Sequence, residues 1–153
     1  MTDLFFYLVM RMLIANEGFE AQPYKIDDVW HIGYGYNLEV HMPNPPCADY
    51  ECLIWTKAEA FNQLSGDVRR INKRLSVRYS CYRMLPEKGK IVILDMAYHM
   101  GIRGMLKFKD FLASMCAKNY RGAGDHIKDS KYYNDVTRRA LRNIEILKNG
   151  IDL

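Results

Sequence analysis

The sequence predicts a mainly helical α+β protein, and three observations carry that prediction. Apolar residues return at spacings of three and four through Ala60, Phe61, Leu64, Val68, Ile71 and Leu75, the pattern of one long amphipathic helix. A second apolar run, Ile91 to His99, follows Pro86 and stops at Gly101, again a helix with proline near its start and glycine at its end. Between Tyr24 and Tyr36 the rhythm changes to the alternation of short strands, with Asp27-Asp28 suited to a hairpin turn.

The remaining elements follow in chain order. Leu4 to Ala15 reads as the first core helix, and Gly18 is placed to end it in the left-handed conformation. Glu17 then stands on its last turn, at the negative end of the helix dipole, a position that suits a proton donor. Gly33 and Gly35 allow another group to approach the backbone closely. From Glu39 to Trp55, Pro43, Pro45 and Pro46 argue for an irregular excursion. Thr56-Lys57-Ala58-Glu59 is a capping box that starts the long helix, about 30 Å in length. Further helices are expected over Lys109 to Asn119 and Ala123 to Lys128.

Composition sets the outer limits. With 153 residues and 49% apolar content the chain can bury a core of its own, as one unit or as two small lobes. The charge of +4 and the pI near 8.8 favour an anionic partner without choosing one. The pairs Arg69-Arg70, Lys73-Arg74 and Arg138-Arg139 read as solvated faces. Cys47, Cys52, Cys81 and Cys116 are too scattered for a disulfide scaffold, so reduced thiols are expected. His41, Cys47 and Cys52 lack a Cys-x-x-Cys pair, so no metal is expected there. Leu4 to Met10 is too short to span a membrane and is no signal peptide, and the methionines read as packing.

Glu17-Gly18, Pro23-Tyr24-Lys25, Ile32-Gly33-Tyr34-Gly35 and Asn37-Leu38 together resemble the active-site segment of the phage-type lysozymes, glycoside hydrolase family 24. Two later stretches also resemble that family: Ile93 to Gly101 with Gly104 to Phe108, and Asp129 to Asn134 with Arg138-Arg139-Ala140. The resemblance runs from Leu13 to Gly150. It implies one lysozyme-like domain over residues 1–153, with a hairpin lobe over about 14–56, a linking helix over about 56–77, and a helical lobe from about 78 that includes the N-terminal helix.

The resemblance further implies a muramidase that cuts the β-1,4 bond between N-acetylmuramic acid and N-acetylglucosamine, with Glu17 as the acid. Lys25 to Ile32 is one residue short of the family pattern. Strict spacing puts Ile26 where the second carboxylate belongs, and sliding the gap gives that place to Asp27 or Asp28. His31 replaces the family's Thr, which brings an imidazole into the chemistry. Asn37 and Tyr98 fall where the family lines its sugar groove, and Arg139 where it faces the catalytic Glu. The implied partner is peptidoglycan, with no cofactor, no nucleic acid and no stable membrane insertion. The expected form is a monomer made without a signal peptide in a bacterial host and acting on the wall in the periplasm. The rival expectation is a lysozyme fold that binds glycan or another protein without cutting it.

Overall fold

Thr56 and Glu59 close the capping box that the sequence predicts. The Glu59 amide donates to Thr56 Oγ1 at 3.2 Å, and Thr56 N donates back to Glu59 Oε2 at 2.7 Å. The computed structural model describes residues 2–150, and it is mainly helical, 68%, with a small three-stranded antiparallel sheet. Its helices are α1 (Asp3–Glu17), α2 (Leu38–His41), α3 (Lys57–Arg78), α4 (Glu87–Met105), α5 (Lys109–Cys116), α6 (Tyr120–Lys128), α7 (Lys131–Asp135) and α8 (Thr137–Asn149). The strands are β1 (Glu20–Ile26), β2 (Val29–Gly33) and β3 (Tyr36–Asn37), in that spatial order. Among the described residues no helix is long and apolar enough to cross a membrane.

The chain divides into two compact units, residues 10–69 and residues 1–9 with 70–153, and the boundary falls inside α1 and α3. In the first unit, Ile26 pairs with Val29 around Asp27 and Asp28, both at positive φ (49° and 63°). That is the two-residue turn whose twist matches a hairpin, and aspartate is among the few residues that tolerate it. β1 carries extra residues between Glu20 and Tyr24, where Pro23 has no amide to offer the ladder. Trp30, Ile32 and Tyr36 pack on Leu38, Tyr50 and Trp55 beneath the sheet.

The expected irregular excursion after Glu39 is better ordered than the prolines suggest. Asn37 Oδ1 accepts from the Val40 amide and caps α2, and a 3₁₀ turn at Ala48–Tyr50 places the Tyr50 ring in the core.

In the second unit, α8 packs against α4, α6 and α7, and α5 against α6. Val92, Ile93, Met96, Phe111, Met115, Ile127 and Leu147 are buried there. Met96, Met105 and Met115 are fully enclosed, in keeping with their reading as packing residues. Helix α4 breaks at Gly101 (φ 76°), the residue expected to end it. Helix α6 starts three residues earlier than its apolar spacing suggested, because Asn119 Oδ1 accepts from the Gly122 amide and caps it.

The expectation of reduced thiols is overturned. Cys47 pairs with Cys52 and Cys81 with Cys116. The fold brings their Cα atoms to 6.1 and 5.5 Å, within bridging range, a convergence that sequence spacing does not reveal. Cys47 and Cys52 are thereby spent as metal ligands.

The two bridges differ in the chain they constrain. Sequence separations of 35 for Cys81–Cys116 and 5 for Cys47–Cys52 correspond to about 4 and about 2 kcal/mol of lost unfolded-state entropy. Replacing each pair by alanine and measuring urea unfolding should show the larger loss for Cys81–Cys116. The opposite order would mean that local packing, not chain closure, sets their contributions.

Candidate functional site

Glu17 is the last residue of α1, and Gly18 at φ 70° turns the chain toward β1. A Cβ built on Gly35 would meet Glu17 Oε2 at 3.2 Å and Cδ at 3.8 Å. The carboxyl group therefore rests against bare backbone between β2 and β3. Gly35 itself is at φ 77°, so a side chain there would be strained as well as obstructive.

Tyr24 belongs to the same group. Burial raises its phenol above the ordinary tyrosine pKa, and the negative charges of Glu17 and then Glu20 push it further. A hydrogen bond with the Gly35 backbone works in the opposite direction. A neutral hydroxyl is thus held beside the Glu17 carboxyl.

Tyr24, His31 and Asn37 are successive cross-strand partners in β1, β2 and β3, so they form one row on one face of the sheet. The opposite face carries Trp30 and Ile32 into the core. All three residues of the row are half-buried. The Tyr24 and His31 rings lie 5.9 Å apart between centroids, tilted by 36°. His31 Nδ1 is 2.9 Å from the Val29 carbonyl oxygen. Because a carbonyl only accepts, Nδ1 carries the hydrogen, and Nε2 is the acceptor of the neutral ring. Asn37 has a structural duty at the α2 cap, which occupies Oδ1 and leaves its amide nitrogen for a ligand.

The three candidates for the second carboxylate position lie at the hairpin tip. Asp27 and Asp28 form the exposed turn, whereas Ile26, by strand alternation, shares the face of Tyr24 and His31 and is half exposed. The residue nearest the basic role on that face is therefore His31.

Tyr98 and Arg139 belong to the second unit. Tyr98 is half-buried on α4. Arg139, unlike the solvated residue its neighbours suggest, is buried. Its Nε and Nη2 donate to Asp95 Oδ2 and Oδ1 at 2.9 and 2.8 Å, and Asn143 Nδ2 donates to Asp95 Oδ2 at 2.8 Å. Arg139 Nη1 also lies 3.4 Å from His99 Nδ1, which must accept, since guanidinium has only donors.

Sequence reasoning passed over Asp95 and Asn143, although an aspartate inside the apolar run Ile91 to Ala97 was the available signal. Tyr24 was legible as a strand residue and as part of the Pro23-Tyr24-Lys25 match, but without a role in the site. Among the described residues no three His, Cys, Asp or Glu side chains converge to hold a metal ion.

The arrangement offers a carboxyl group, a neutral phenol, an imidazole acceptor and an amide donor beside one partly open sheet face. Such a set suits a neutral, hydroxyl-rich ligand. No known family model and no curated protein matches the chain.

The proximity of Glu17 to Tyr24 has a titration signature. In Glu17→Gln the Tyr24 pKa should fall, because a negative neighbour is lost. It should stay above 10.0, because burial is the larger cause. Ring-labelled tyrosine NMR checks this, and an unmoved Tyr24 titration would show that the two groups do not face one another.

Proposed function

We propose that the chain is a lysozyme-type muramidase that hydrolyses the β-1,4 bond between N-acetylmuramic acid and N-acetylglucosamine in peptidoglycan, as the phage-type family does. One observation carries the reading: the Glu17 carboxyl, at the end of α1, rests on the side-chain-free backbone of Gly35, within the Ile32-Gly33-Tyr34-Gly35 segment. Cleavage at a glycosidic bond needs an acid that protonates the leaving oxygen and a second group that handles water or attacks the anomeric carbon. Glu17 supplies the acid. Tyr24, whose raised pKa keeps its phenol neutral, stands near enough to feel the Glu17 charge and does not compete for its proton.

His31 supplies the second function in this reading. Its Nε2 can accept a proton from water, giving inversion, or attack carbon directly, giving retention through a glycosyl intermediate. Asp27, at the turn, is the alternative water partner. Asn37 is assigned to sugar recognition; for Tyr98 the same role, and for Arg139, anchored by Asp95, a supporting one, rest on the family resemblance alone. No cofactor enters the reaction. Two disulfides suit an oxidising compartment, which supports a site of action at the wall rather than in the cytosol.

A glycan-binding protein without activity is the second reading, favoured by Asp27 and Asp28 being held as turn residues while apolar Ile26 takes the face of His31. Sacculus binding and reducing-end release separate the two. Under the muramidase reading, wild type releases reducing ends, and Glu17→Gln binds as well but is slower by about a thousandfold, within the range for losing a general acid. Equal binding with no release from either protein would establish the binding protein instead.

The role of His31 has its own test. His31→Ala should lose most of the activity, and His31→Thr should restore an inverted product by leaving room for a held water. If both variants match wild type in rate and in product anomer, His31 is a bystander.

A further inference from the structure

Four cations in the second unit meet around a hollow that has no carboxylate in its wall among the described residues. The cavity, of about 610 Å³, is lined by Lys88, Lys118, Arg121 and Lys148 together with Asn119 and Tyr120. They come from three places in the fold: the first turn of α4, the α5–α6 connection with the start of α6, and the end of α8. Lys88 is fixed rather than mobile. Its half-buried ammonium donates to the Leu147 carbonyl at 2.9 Å and stands 4.8 Å from the Tyr120 ring centroid. Two of its three N–H donors are left over.

None of the four is ion-paired among the described residues. Their charge equals the net +4 of the whole chain, whose other residues balance at 18 basic and 18 acidic. Four positive charges are thus gathered at one concave place. Like charges so gathered repel one another, and an anion seated among them relieves the repulsion.

We propose that this cavity binds a phosphate-bearing anion carrying two or more negative charges. A single carboxylate would leave most of the cationic charge unmatched, whereas phosphate supplies up to two charges and three acceptor oxygens per group. Arg121 offers the planar fork that meets phosphate through two parallel bonds, and the lysines act as point charges around it. The volume lies within the range of small-molecule sites and admits a diphosphate or the headgroup of an anionic lipid. The site is independent of the muramidase reading, which uses none of these residues.

The test uses the full chain at low salt. Inorganic pyrophosphate is titrated while the Tyr120 ring resonances are followed, and sedimentation is measured with phosphatidylcholine vesicles made with and without phosphatidylglycerol. Wild type should bind saturably in at least one arm. Pyrophosphate binding alone identifies a soluble phosphate as the source. Binding to the anionic vesicles, displaced by pyrophosphate, identifies a lipid headgroup.

Lys118→Gln/Arg121→Gln should weaken the binding by about tenfold or more. Lys107→Gln/Lys109→Gln, which removes the same charge elsewhere in the unit, should leave it within about twofold. The substituted cavity residues are exposed, and Lys148→Gln provides a milder second variant should the double one unfold. Absence of binding in both arms, or equal losses in the cavity and control variants, overturns the proposal.

Discussion

The Glu17 carboxyl occupies the place where a side chain at residue 35 would otherwise be, and the first unit is arranged around that contact. The contact requires α1 to end where it does, so that its last residue points to the sheet, and Gly18 supplies the left-handed step that redirects the chain. It requires β2 to leave the sheet through Gly33 and Gly35, both at positive φ. At Gly33 the tightness is on the core side, where an added Cβ would meet the Trp55 ring at 3.0 Å. One glycine thus admits the carboxyl and the other admits the packing that holds the strand. Filling either position would move the acid relative to the Tyr24–His31–Asn37 row.

The second unit is organised by a buried charge pair. Asp95 is fully enclosed, and taking a carboxylate out of water is costly unless its oxygens are satisfied. Arg139 meets both oxygens and also the Asp95 main-chain carbonyl at 3.2 Å, and Asn143 adds a further donor. Asn143 reaches on to Tyr132 Oη at 3.1 Å, and the Tyr132 ring lies against His99 and Phe108. α4, α7 and α8 are therefore held in register by directional bonds as well as by apolar packing. Arg139 acts through this network before it acts on anything outside it.

Much of this was legible in the sequence wherever local chemistry decides the outcome. The capping box at Thr56, the two-residue turn at Asp27-Asp28 and the break at Gly101 are determined by residues within one turn of each other, and each appears where the residue pattern put it. The partners of Cys81 and Arg139 lie 35 and 44 residues away, at Cys116 and Asp95, so composition had no means of choosing them. Asn37 illustrates a subtler limit. An amide suited to sugar recognition is equally suited to capping, and only the position of the Val40 amide reveals that one half of it is already in use. The alternation of β1 and β2 revealed the strands but not the pairing of Tyr24 with His31, and it could not show that Glu17 sits beside Tyr24, because a helix end and a strand meet there only in three dimensions.

The two disulfides are linked to the strained parts of the backbone. Asp49 and Tyr50, at φ 49° and 61°, lie inside the loop closed by Cys47 and Cys52. A bulky residue such as tyrosine enters the left-handed region only when its surroundings hold it there. Here the Tyr50 hydroxyl donates to the Met42 carbonyl at 3.0 Å, and its ring packs beneath the sheet. Lys118, at φ 59°, follows two residues after Cys116, whose bridge to Cys81 anchors the end of α5. The Lys118 amide still bonds to Met115 and the next amide to Ser114, so the left-handed step is stitched to the helix it terminates. That step directs the chain into α6 and sets Lys118, Asn119 and Tyr120 along the wall of the basic cavity. In both units a covalent link therefore lies beside backbone that is costly to hold: in one it keeps the Tyr50 ring under the sheet, and in the other it fixes the approach to the four cations.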